Sequence, residues 1–336
     1  MSEVSSQDPS AVRVRRALIS CSDKRGLEEL GRELRSFGVE LLASGNTAAR
    51  LRDAGLEVVE VSDYTEFPEM MGGRLKTLHP RIHGGILARR EEPGDLEAMN
   101  AHGIRPIDLV VCNLYPFEET VAREGVQLDE AVEQIDIGGP SMVRSAAKNQ
   151  RHVTVVVDPG DYAELLEALR SSGGSVPDEL RRRLARKAFS HTARYDAAIA
   201  SYLAREEPPG SAPLPETLLI AAERVEVLRY GENPHQVAGL YGHFLEVARP
   251  LHGRALSYNN ILDVDAALQL VLDLLDDPPT VGILKHNTPC GVGTAGSLAE
   301  AWSRAYAGDP DSPFGGIVIA NRPFDAALAA EVDSIF

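Results

Sequence analysis

The sequence of 336 residues contains few cysteines, few aromatic residues and no long apolar run. Its three cysteines, Cys21, Cys112 and Cys290, form neither an even disulfide set nor a C-x-x-C pair, so we interpret them as reduced thiols. No segment approaches the roughly 18 apolar residues of a membrane span, and residues 1–13 lack the apolar core of a signal peptide. We therefore expect a cytoplasmic protein that does not enter membranes.

Basic residues are also in short supply. The chain has 34 Lys and Arg against 50 Asp and Glu, a formal net charge of −16. This balance argues against broad binding to nucleic acids or anionic membranes, although it leaves room for a local basic pocket. The length, with 43% hydrophobic and 25% charged residues, is typical of an ordinary globular protein of two domains.

From Arg16 onward, β-rich runs alternate with segments of helical period. The run "RALISCS" is followed by "DKRGLEELGRELRSFG", in which Leu27, Leu30 and Leu34 recur at helical spacing. Further short strands are indicated by "VELLAS", "LEVVEVS", "DLVVCNL" and "HVTVVVD". We expect an α/β domain in which helices cover both faces of a parallel sheet.

Composition also suggests the domain boundaries. Residues 1–15 are predicted to be a disordered N-terminal tail, and 16–206 form the first domain, which ends in a long helical pattern. A Pro/Gly/Ser-rich stretch follows, and we interpret 207–218 as a linker. A second domain is expected over 219–336.

Small hydroxyl residues and glycines follow the first two predicted strands, at 20–24 ("SCSDK") and 44–47 ("SGNT"). In a parallel sheet, ligands bind where strands end and helices begin, because free backbone N–H groups are available there. With Lys24 adding charge, both segments suit a phosphate. The alternative is simple helix capping, by Ser22 or Asp23 in the first segment and by Ser44 or Asn46 in the second, which either segment taken alone would favour.

The stretch "GGRLKTLHPRIHGG", residues 72–85, places two histidines four positions apart. That spacing is typical of a helical metal pair, but Pro80 lies between His79 and His83 and argues against a stable helix. No neighbouring cysteine or carboxylate pattern completes a metal site. Arg74, Lys76 and Thr77 instead offer donors to an anionic or carbonyl-bearing substrate, unless this is only a solvated basic loop.

Other loops carry groups suited to proton transfer and oxyanion stabilisation. These are Asn113 and Tyr115 after a predicted strand, and Asp136 and Lys148 around a Gly-Gly turn. In the second half, Lys285 and His286 follow a strand, where the histidine could act as a base near neutral pH. Each of these groups could equally be an ordinary surface or loop residue.

Together these motifs resemble one family, the bifunctional purine-biosynthesis enzymes that join AICAR transformylase to IMP cyclohydrolase. The resemblance extends from about Arg16 to Phe336. It rests on the strings "SDKRGLEELGREL", "ASGNTAARLRDAG", "FPEMMGGRLKTLHPRIHGGILARR", "CNLYPF", "EQIDIGGPSMVRSAAKN", "LRYGENPHQ" and "KHNTPCG", in the family's order.

The resemblance implies an N-terminal methylglyoxal-synthase-like domain that closes the ring of formyl-AICAR (FAICAR) to inosine monophosphate (IMP) and water, without a metal or organic cofactor. It implies catalytic roles for Lys76, Tyr115, Asp136 and Lys148. Asp136 with Lys148 is assigned to proton handling at the amide, and Lys76 with Tyr115 to the formyl oxygen. It implies substrate contacts from Ser20, Ser22, Lys24, Ser44, Gly45, Thr47, Arg74, Thr77, Asn113, Ile137 and Gly138.

For the second half, the resemblance implies the start of a cytidine-deaminase-like transformylase domain that uses 10-formyltetrahydrofolate to formylate AICAR. Lys285 and His286 match the catalytic pair, with His286 as base. Substrate contacts are implied for Arg229, Tyr230, Asn233 and His235. The family forms homodimers and its members continue beyond the segment that ends at Phe336, so we expect an incomplete transformylase domain.

Three other hypotheses remain at this point. A nucleotide-binding sensor would need the phosphate loops but not the acid–base groups. Methylglyoxal synthase would share the phosphate loops but not "RYGENPHQ" or "KHNTPCG". A folded cyclohydrolase with a merely structural second half would differ from the favoured hypothesis only after residue 218.

Overall fold

The computed structural model describes residues 10–205 and 217–335. The chain divides into two compact units between Ala221 and Ala222. Each unit has its own hydrophobic core, so each is considered by itself. Within the described residues, no helix combines the length and the apolar composition that crossing a membrane requires.

The first unit is built on a five-stranded parallel sheet, which confirms the predicted α/β architecture. The strands of this unit, two of which lie outside the main sheet, are β1 Val12–Arg13, β2 Arg16–Cys21, β3 Glu40–Ala43, β4 Val59–Glu60, β5 Leu109–Asn113, β6 Thr154–Val156 and β7 Ser175–Val176. The order in the sheet is β4-β3-β2-β5-β6, and β1 pairs with β7 in a separate antiparallel ribbon.

Helices cover both faces of this sheet. They are α1 Leu27–Ser36, α2 Gly45–Asp53, α3 Val61–Thr65, α4 Pro80–Leu87, α5 Pro93–Ala101, α6 Phe117–Val121, α7 Leu128–Glu133, α8 Gly138–Lys148, α9 Tyr162–Ser172 and α10 Asp178–Arg205. Ile19 and Val111 point to the core under α1 and α9, whereas Leu18 and Val110 point to the core under α8 and α10. Burial on both faces explains the nearly continuous apolar runs of these strands.

The N-terminal boundary predicted from the sequence needs a correction. Val12–Arg13 pairs with Ser175–Val176, and the side chain of Val14 is only 2% exposed. The predicted tail is therefore wrong for these residues, because strand pairing and burial hold them on the domain. Residues 1–9, and 207–216 of the predicted linker, lie outside the described residues.

The second unit contains an antiparallel sheet of order β11-β10-β12. The strands of this unit are β8 Arg224–Val227, β9 Gly239–Tyr241, β10 Thr280–Lys285, β11 Thr288–Thr294 and β12 Ile317–Ala320, and β8 pairs with β9 in a separate antiparallel ribbon. The helices are α11 Phe244–Val247, α12 Tyr258–Asp273, α13 Leu298–Gly308 and α14 Ala326–Asp333. Helix α13 lies directly on β11, since a Cβ added to Gly291 would stand 2.0 Å from the carbonyl oxygen of Ala305. The buried Trp302 anchors this contact.

Candidate functional site

The carboxyl ends of β2 and β5 are joined by the side chain of Asn113. Its Oδ1 accepts hydrogen bonds from the backbone N–H groups of Ser22, at 2.6 Å, and Asp23, at 2.8 Å. Its Nδ2 donates to the carbonyl of Asp23 at 3.0 Å. Asn113 thus fixes the shape of the loop after β2, one of the two segments predicted to hold a phosphate.

The loop after β3 is tied to the same strand end. The hydroxyl of Thr47, buried in the first turn of α2, accepts from the N–H of Cys21 at 3.2 Å and donates to its carbonyl at 3.1 Å. Lys24 Nζ donates to that carbonyl from the other side, at 3.1 Å. Ser20 lies in β2 immediately before Cys21 and is half-buried.

The side chains of these polar residues make no capping hydrogen bonds to the helices that follow. Ser44 occupies the N-cap position of α2 without such a bond, and the N-cap of α1 is Gly26 rather than Ser22 or Asp23. Side-chain capping therefore does not account for Ser22 or Ser44. Both hydroxyls stand at the carboxyl edge of the sheet, where the α2 N–H groups favour an anion.

The side-chain amine of Lys76 reaches the beginning of α2. A Cβ built on Gly45 would be 3.6 Å from Lys76 Nζ, and the amine forms an ion pair with Glu69 Oε1 at 3.1 Å. A Cβ on Gly73, whose φ is +93°, would come within 3.0 Å of Lys76 Cε. Gly73 therefore leaves room for the lysine to reach the helix end, whereas a Cβ at Gly45 would make only an ordinary contact with it.

The sequence argument against a helix after His79 was wrong. Helix α4 begins at Pro80, because proline is tolerated at a first helical position, where its missing N–H would have no partner. His79 Nδ1 caps this helix by accepting from the N–H of Arg81 at 3.1 Å. His83 lies inside α4 and shares a hydrogen bond with Ser145 Oγ at 3.1 Å. Among the described residues, no group of three or more His, Cys, Asp or Glu side chains is arranged to hold a metal.

Asp136 occupies the beginning of α8. Its Oδ1 accepts from the N–H of Gly139 at 2.8 Å, and its backbone N–H donates to the hydroxyl of Tyr195 at 2.8 Å. Burial raises the pKa of the Asp136 carboxyl, against the opposing effect of hydrogen bonds from the Gly138 and Gly139 N–H groups. A carboxyl group with a raised pKa is a better base than an exposed aspartate.

Thr77 and Gly138 meet beside this carboxyl, since a Cβ on Gly138 would be 3.0 Å from Thr77 Oγ1 and 4.0 Å from Asp136 Oδ1. Leu114, at the end of β5, packs against Gly139. The next residue, Tyr115, is 52% exposed, and Ile137 is 62% exposed. The chain therefore gathers Thr77, Asp136 and Gly138 at one helix end, and Lys76 and Gly45 at another.

Two predicted site residues lie elsewhere. Arg74 forms an exposed ion pair with Glu133, at the end of α7. Lys148 is exposed and is the last residue of α8. Because a helix rises 1.5 Å per residue, Lys148 lies about 15 Å along the helix from Gly138. Because α8 is continuous from Gly138 to Lys148, the structure does not bring Lys148 to Asp136, and their pairing stays a prediction.

The sequence did not single out Glu69, Glu133 or Tyr195. Glu69 forms an ion pair with Lys76, and Glu133 forms one with Arg74. Both glutamates belong to motifs already quoted, Glu69 to the one that contains Lys76 and Glu133 to the one that contains Asp136. Tyr195 comes from α10, and its hydroxyl also donates to the carbonyl of Gln134 at 3.2 Å. No local pattern could have assigned it to the Asp136 loop, because 59 positions separate the bonded residues.

In the second unit, Lys285 and His286 lie at a β-hairpin turn, with Lys285 as the last residue of β10. Lys285 pairs with Thr288, so the turn residues are His286, with φ +51°, and Asn287, with φ +63°. Left-handed backbone at both positions is the geometry of a tight hairpin. The turn is exposed, and the Asn287 N–H donates to Asp263 Oδ1 on α12 at 2.9 Å. Lys285 Nζ donates to the carbonyl of Phe314 at 3.0 Å.

The "RYGENPHQ" segment reaches the same helix. The Arg229 guanidinium stacks over the Tyr230 ring at 4.8 Å from its centroid, and the carbonyl of Tyr230 accepts from the N–H of Tyr258, the first residue of α12. The Asn233 N–H donates to Gln236 Oε1 at 2.7 Å, and His235 is exposed. Both predicted loops of this unit thus contact the first half of α12.

Comparison with known proteins gives matches over most of the chain. The family model of the MGS-like domain matches residues 26–141, and that of the AICARFT/IMPCHase bienzyme matches residues 146–336, more than half of the chain. A bifunctional purine biosynthesis protein PurH from Chloroflexus aurantiacus is 51% identical over 325 residues, and one from Acidithiobacillus ferrooxidans is 51% identical over 328. Each alignment covers 96% of this chain.

The same alignments cover only 62% and 63% of those two relatives, so the chain spans less than two thirds of their length. Among solved structures, the chain is similar to a protein titled ForH, with 41% sequence identity and a TM-score of 0.53. That match covers 56% of this chain and 97% of ForH.

Proposed function

The chain belongs to the AICARFT/IMPCHase bienzyme family, and from this premise we propose that residues 16–206 catalyse the closure of FAICAR to IMP with release of water. The observation that carries the proposal is the pair of helix ends at the carboxyl edge of the sheet. One holds the amine of Lys76 beside Gly45, and the other holds the carboxyl of Asp136 beside Thr77.

The substrate phosphate is assigned to the loops after β2 and β3. Ser22, Lys24 and Ser44 stand there, and the loop geometry is fixed by Asn113 and Thr47. Backbone N–H groups at the start of α2 supply a partial positive charge toward the same edge. Arg74 exchanges Glu133 for the ligand, because an exposed ion pair contributes little and is readily broken.

Ring closure joins the carboxamide nitrogen of FAICAR to its formyl carbon. The carboxamide nitrogen loses one proton, and the formyl oxygen gains charge and is protonated. The formamido nitrogen then gives up its hydrogen as the ring C=N bond forms, so the oxygen leaves with two hydrogens as water. Asp136 takes the proton, since its raised pKa suits a base. Lys76 and Tyr115 stabilise the oxygen. The reaction involves no change in oxidation state, and we assign it no metal or organic cofactor.

A nucleotide-binding sensor on the same fold is the competing function. It would use the phosphate loops and leave the acid–base groups without a task. The burial of Asp136 favours the enzyme, because placing a carboxyl in a half-buried position disfavours its charged form and destabilises a protein that gains nothing from it.

For the second unit we propose part of a transformylase site that formylates AICAR from 10-formyltetrahydrofolate. Lys285 and His286 are assigned as its catalytic pair, and Arg229, Tyr230, Asn233 and His235 as contacts with AICAR. Support comes from the shared contact of both loops with α12. The part of the relatives' length that the alignments do not cover is assigned the rest of that site. We further propose a homodimer and a cytoplasmic location.

A pair of assays on the purified chain tests the proposal. Conversion of FAICAR to IMP is measured without added cofactor, and AICAR with 10-formyltetrahydrofolate is tested separately. Ring closure without formyl transfer is the expected result. A folded sample that binds IMP but does not close the ring would overturn the enzyme assignment in favour of the sensor.

A further inference from the structure

A small polar cavity lies at the carboxyl ends of the neighbouring strands β3 and β4. Its volume is about 30 Å³, and its polar lining residues are Ser44, Glu60, Ser62, Glu69 and Lys76. A buried water molecule needs about 10–15 Å³ of such space, so the cavity has room for water but not for a nucleotide. The proposed function gives this cavity no task.

The hydroxyl of Ser62 is a polar group of the cavity to which no role has been assigned. Ser62 lies in the first turn of α3 and is half-buried. Its backbone carbonyl accepts from the N–H of Phe67 at 3.2 Å and from Thr65 Oγ1 at 3.3 Å, which fixes this segment. Its side chain has no hydrogen-bond partner in the described part of the chain. Because a serine hydroxyl both donates and accepts, Ser62 can bond to water in either sense.

Another wall of the cavity comes from residues 69–76, which fold into a hairpin. The N–H of Met70 donates to the carbonyl of Leu75 at 3.1 Å, and the N–H of Leu75 donates to the carbonyl of Met70 at 3.3 Å. This bridge sets the flanking residues Glu69 and Lys76 across from each other, where their side chains form the 3.1 Å ion pair. Glu69 therefore holds the Lys76 amine at the cavity.

The charges around the cavity favour a neutral occupant. Glu60 pairs with Arg52 at 2.6 Å and Glu69 pairs with Lys76, so each carboxylate already has a cation. Carboxylates in the wall repel an anion such as phosphate, and the Lys76 ammonium repels a metal cation. Water is neutral and bonds to a hydroxyl, a carboxylate and an ammonium alike, so it suits every group of this wall.

We propose that this cavity is a water site that takes up the oxygen released by ring closure, with Ser62 and Lys76 as its contacts and Glu69 as the residue that positions Lys76. The inference rests on the proposed function, which assigns Lys76 to the formyl oxygen. In that reaction the bond between the formyl carbon and its oxygen breaks, and the oxygen leaves with two hydrogens as water. Drawing this water into a polar cavity separates it from the carbon to which it would otherwise add again.

A crystal structure of the chain with IMP tests the water site directly. The expected result is a water molecule in the cavity, within about 3.2 Å of both Ser62 Oγ and Lys76 Nζ. An atom of IMP inside the cavity, or a cavity without ordered water, would overturn the proposal.

Ring-closing rates test the role of the site. Ser62→Ala removes the hydroxyl and Ser62→Val also fills the cavity, and each should lower kcat at least about 10-fold while the IMP dissociation constant stays within about threefold. Ser171→Val, at an exposed serine of α9, is the matched control and should keep the wild-type kcat. Circular dichroism checks the folding of each variant, and Ser62→Ala decides the test if the valine variant is not folded. Wild-type kcat in folded Ser62→Ala would overturn the proposal.

Two variants of Glu69 test its positioning role. Glutamine keeps an acceptor for the Lys76 amine, so Glu69→Gln should retain kcat within about threefold, whereas Glu69→Ala should lose at least about 10-fold, with KM unchanged in both. Wild-type kcat in Glu69→Ala would overturn this role. A wild-type chain that binds IMP yet does not close the ring would refute the proposed function, whereas an active wild type with unaffected Ser62 variants would refute only the water site.

Discussion

Asn113 holds the loop after the central strand through Ser22, whose backbone N–H donates to Asn113 Oδ1 at 2.6 Å. The two residues belong to adjacent parallel strands, β5 and β2, and their side-by-side ends create the bond. The same oxygen also accepts from the N–H of Asp23, so Asn113 holds this loop in shape without a bound ligand. The proposed phosphate site is therefore formed before substrate arrives.

Replacing Asn113 with alanine should weaken nucleotide binding. The loss of two hydrogen bonds to backbone N–H groups releases the loop, and an expected cost of about 1–2 kcal/mol corresponds to a roughly 10-fold rise in the IMP dissociation constant. Calorimetric titration measures this. Asn100→Ala, on the exposed surface of α5, is the control and should bind as the wild type. Unchanged binding in Asn113→Ala would remove this loop from the site.

Lys76→Ala should separate chemistry from binding. The variant is expected to bind IMP within about threefold of wild type but to close the ring at least about 100-fold more slowly, because the formyl oxygen loses its cation. Stopped assays of FAICAR consumption measure the rate. Arg170→Ala, which removes an exposed cation of α9, serves as the control. Near-normal turnover in Lys76→Ala would exclude the lysine from the chemistry.

Asp136 should give ring closure a distinctive pH dependence. Burial raises the pKa of this carboxyl above the ordinary aspartate value of about 3.9. The ionised form acts as base, so activity should fall as the pH drops through the raised value rather than at about 3.9. The rate profile of Asp136→Asn should lack this acid limb and lie far lower. A wild-type limb at the ordinary value would contradict the role of burial.

His83 should make the first unit less stable in acid. Burial lowers the pKa of its imidazole below the ordinary value of about 6.5. The unfolded chain then binds more protons than the folded one between the lowered and the ordinary value, so the free energy of unfolding falls as pH decreases through that window. Thermal unfolding at pH 7 and pH 5 compares wild type with His83→Gln.

The Gln variant should lose less stability on acidification than the wild type. His102→Gln, an exposed position after α5, should retain the wild-type dependence and is the matched control. Equal pH dependence in wild type and His83→Gln would show that the imidazole is not responsible.

The close contact of α13 with β11 predicts an effect confined to the second unit. A methyl group at Gly293 would stand 2.2 Å from the carbonyl oxygen of Ala301, and neither backbone can yield without separating helix from strand. Gly293→Ala should cost about 2–4 kcal/mol. Trp302, the single tryptophan of the chain, reports this unit's unfolding by fluorescence. Gly296→Ala, with ordinary contacts only, should unfold as the wild type.

The sequence predicted the parallel sheet because buried strands and amphipathic helices have different hydrophobic periods. "RALISCS" and "DLVVCNL" are strands whose residues alternate between two cores, and Leu27, Leu30 and Leu34 are buried on α1. It failed at Pro80, where a residue that breaks helices in their interior instead begins one.

Motif order placed the candidate loops but not their side chains. Thr77 and Asp136 meet at α8 although 59 residues separate them, and this was predicted only by resemblance. The structure does not bring Lys148 to Asp136, because α8 begins at the site and runs away from it, and spacing in sequence does not reveal that direction. The contribution of Tyr195 from α10 depends on tertiary packing, which no local pattern records.

Conversion of FAICAR to IMP by the purified chain, followed without metal or folate, tests the central claim most directly. The account predicts turnover that Lys76→Ala and Asp136→Asn each lower at least about 100-fold while IMP binding persists. A folded chain that binds IMP at the strand ends, yet leaves FAICAR unchanged, would contradict it.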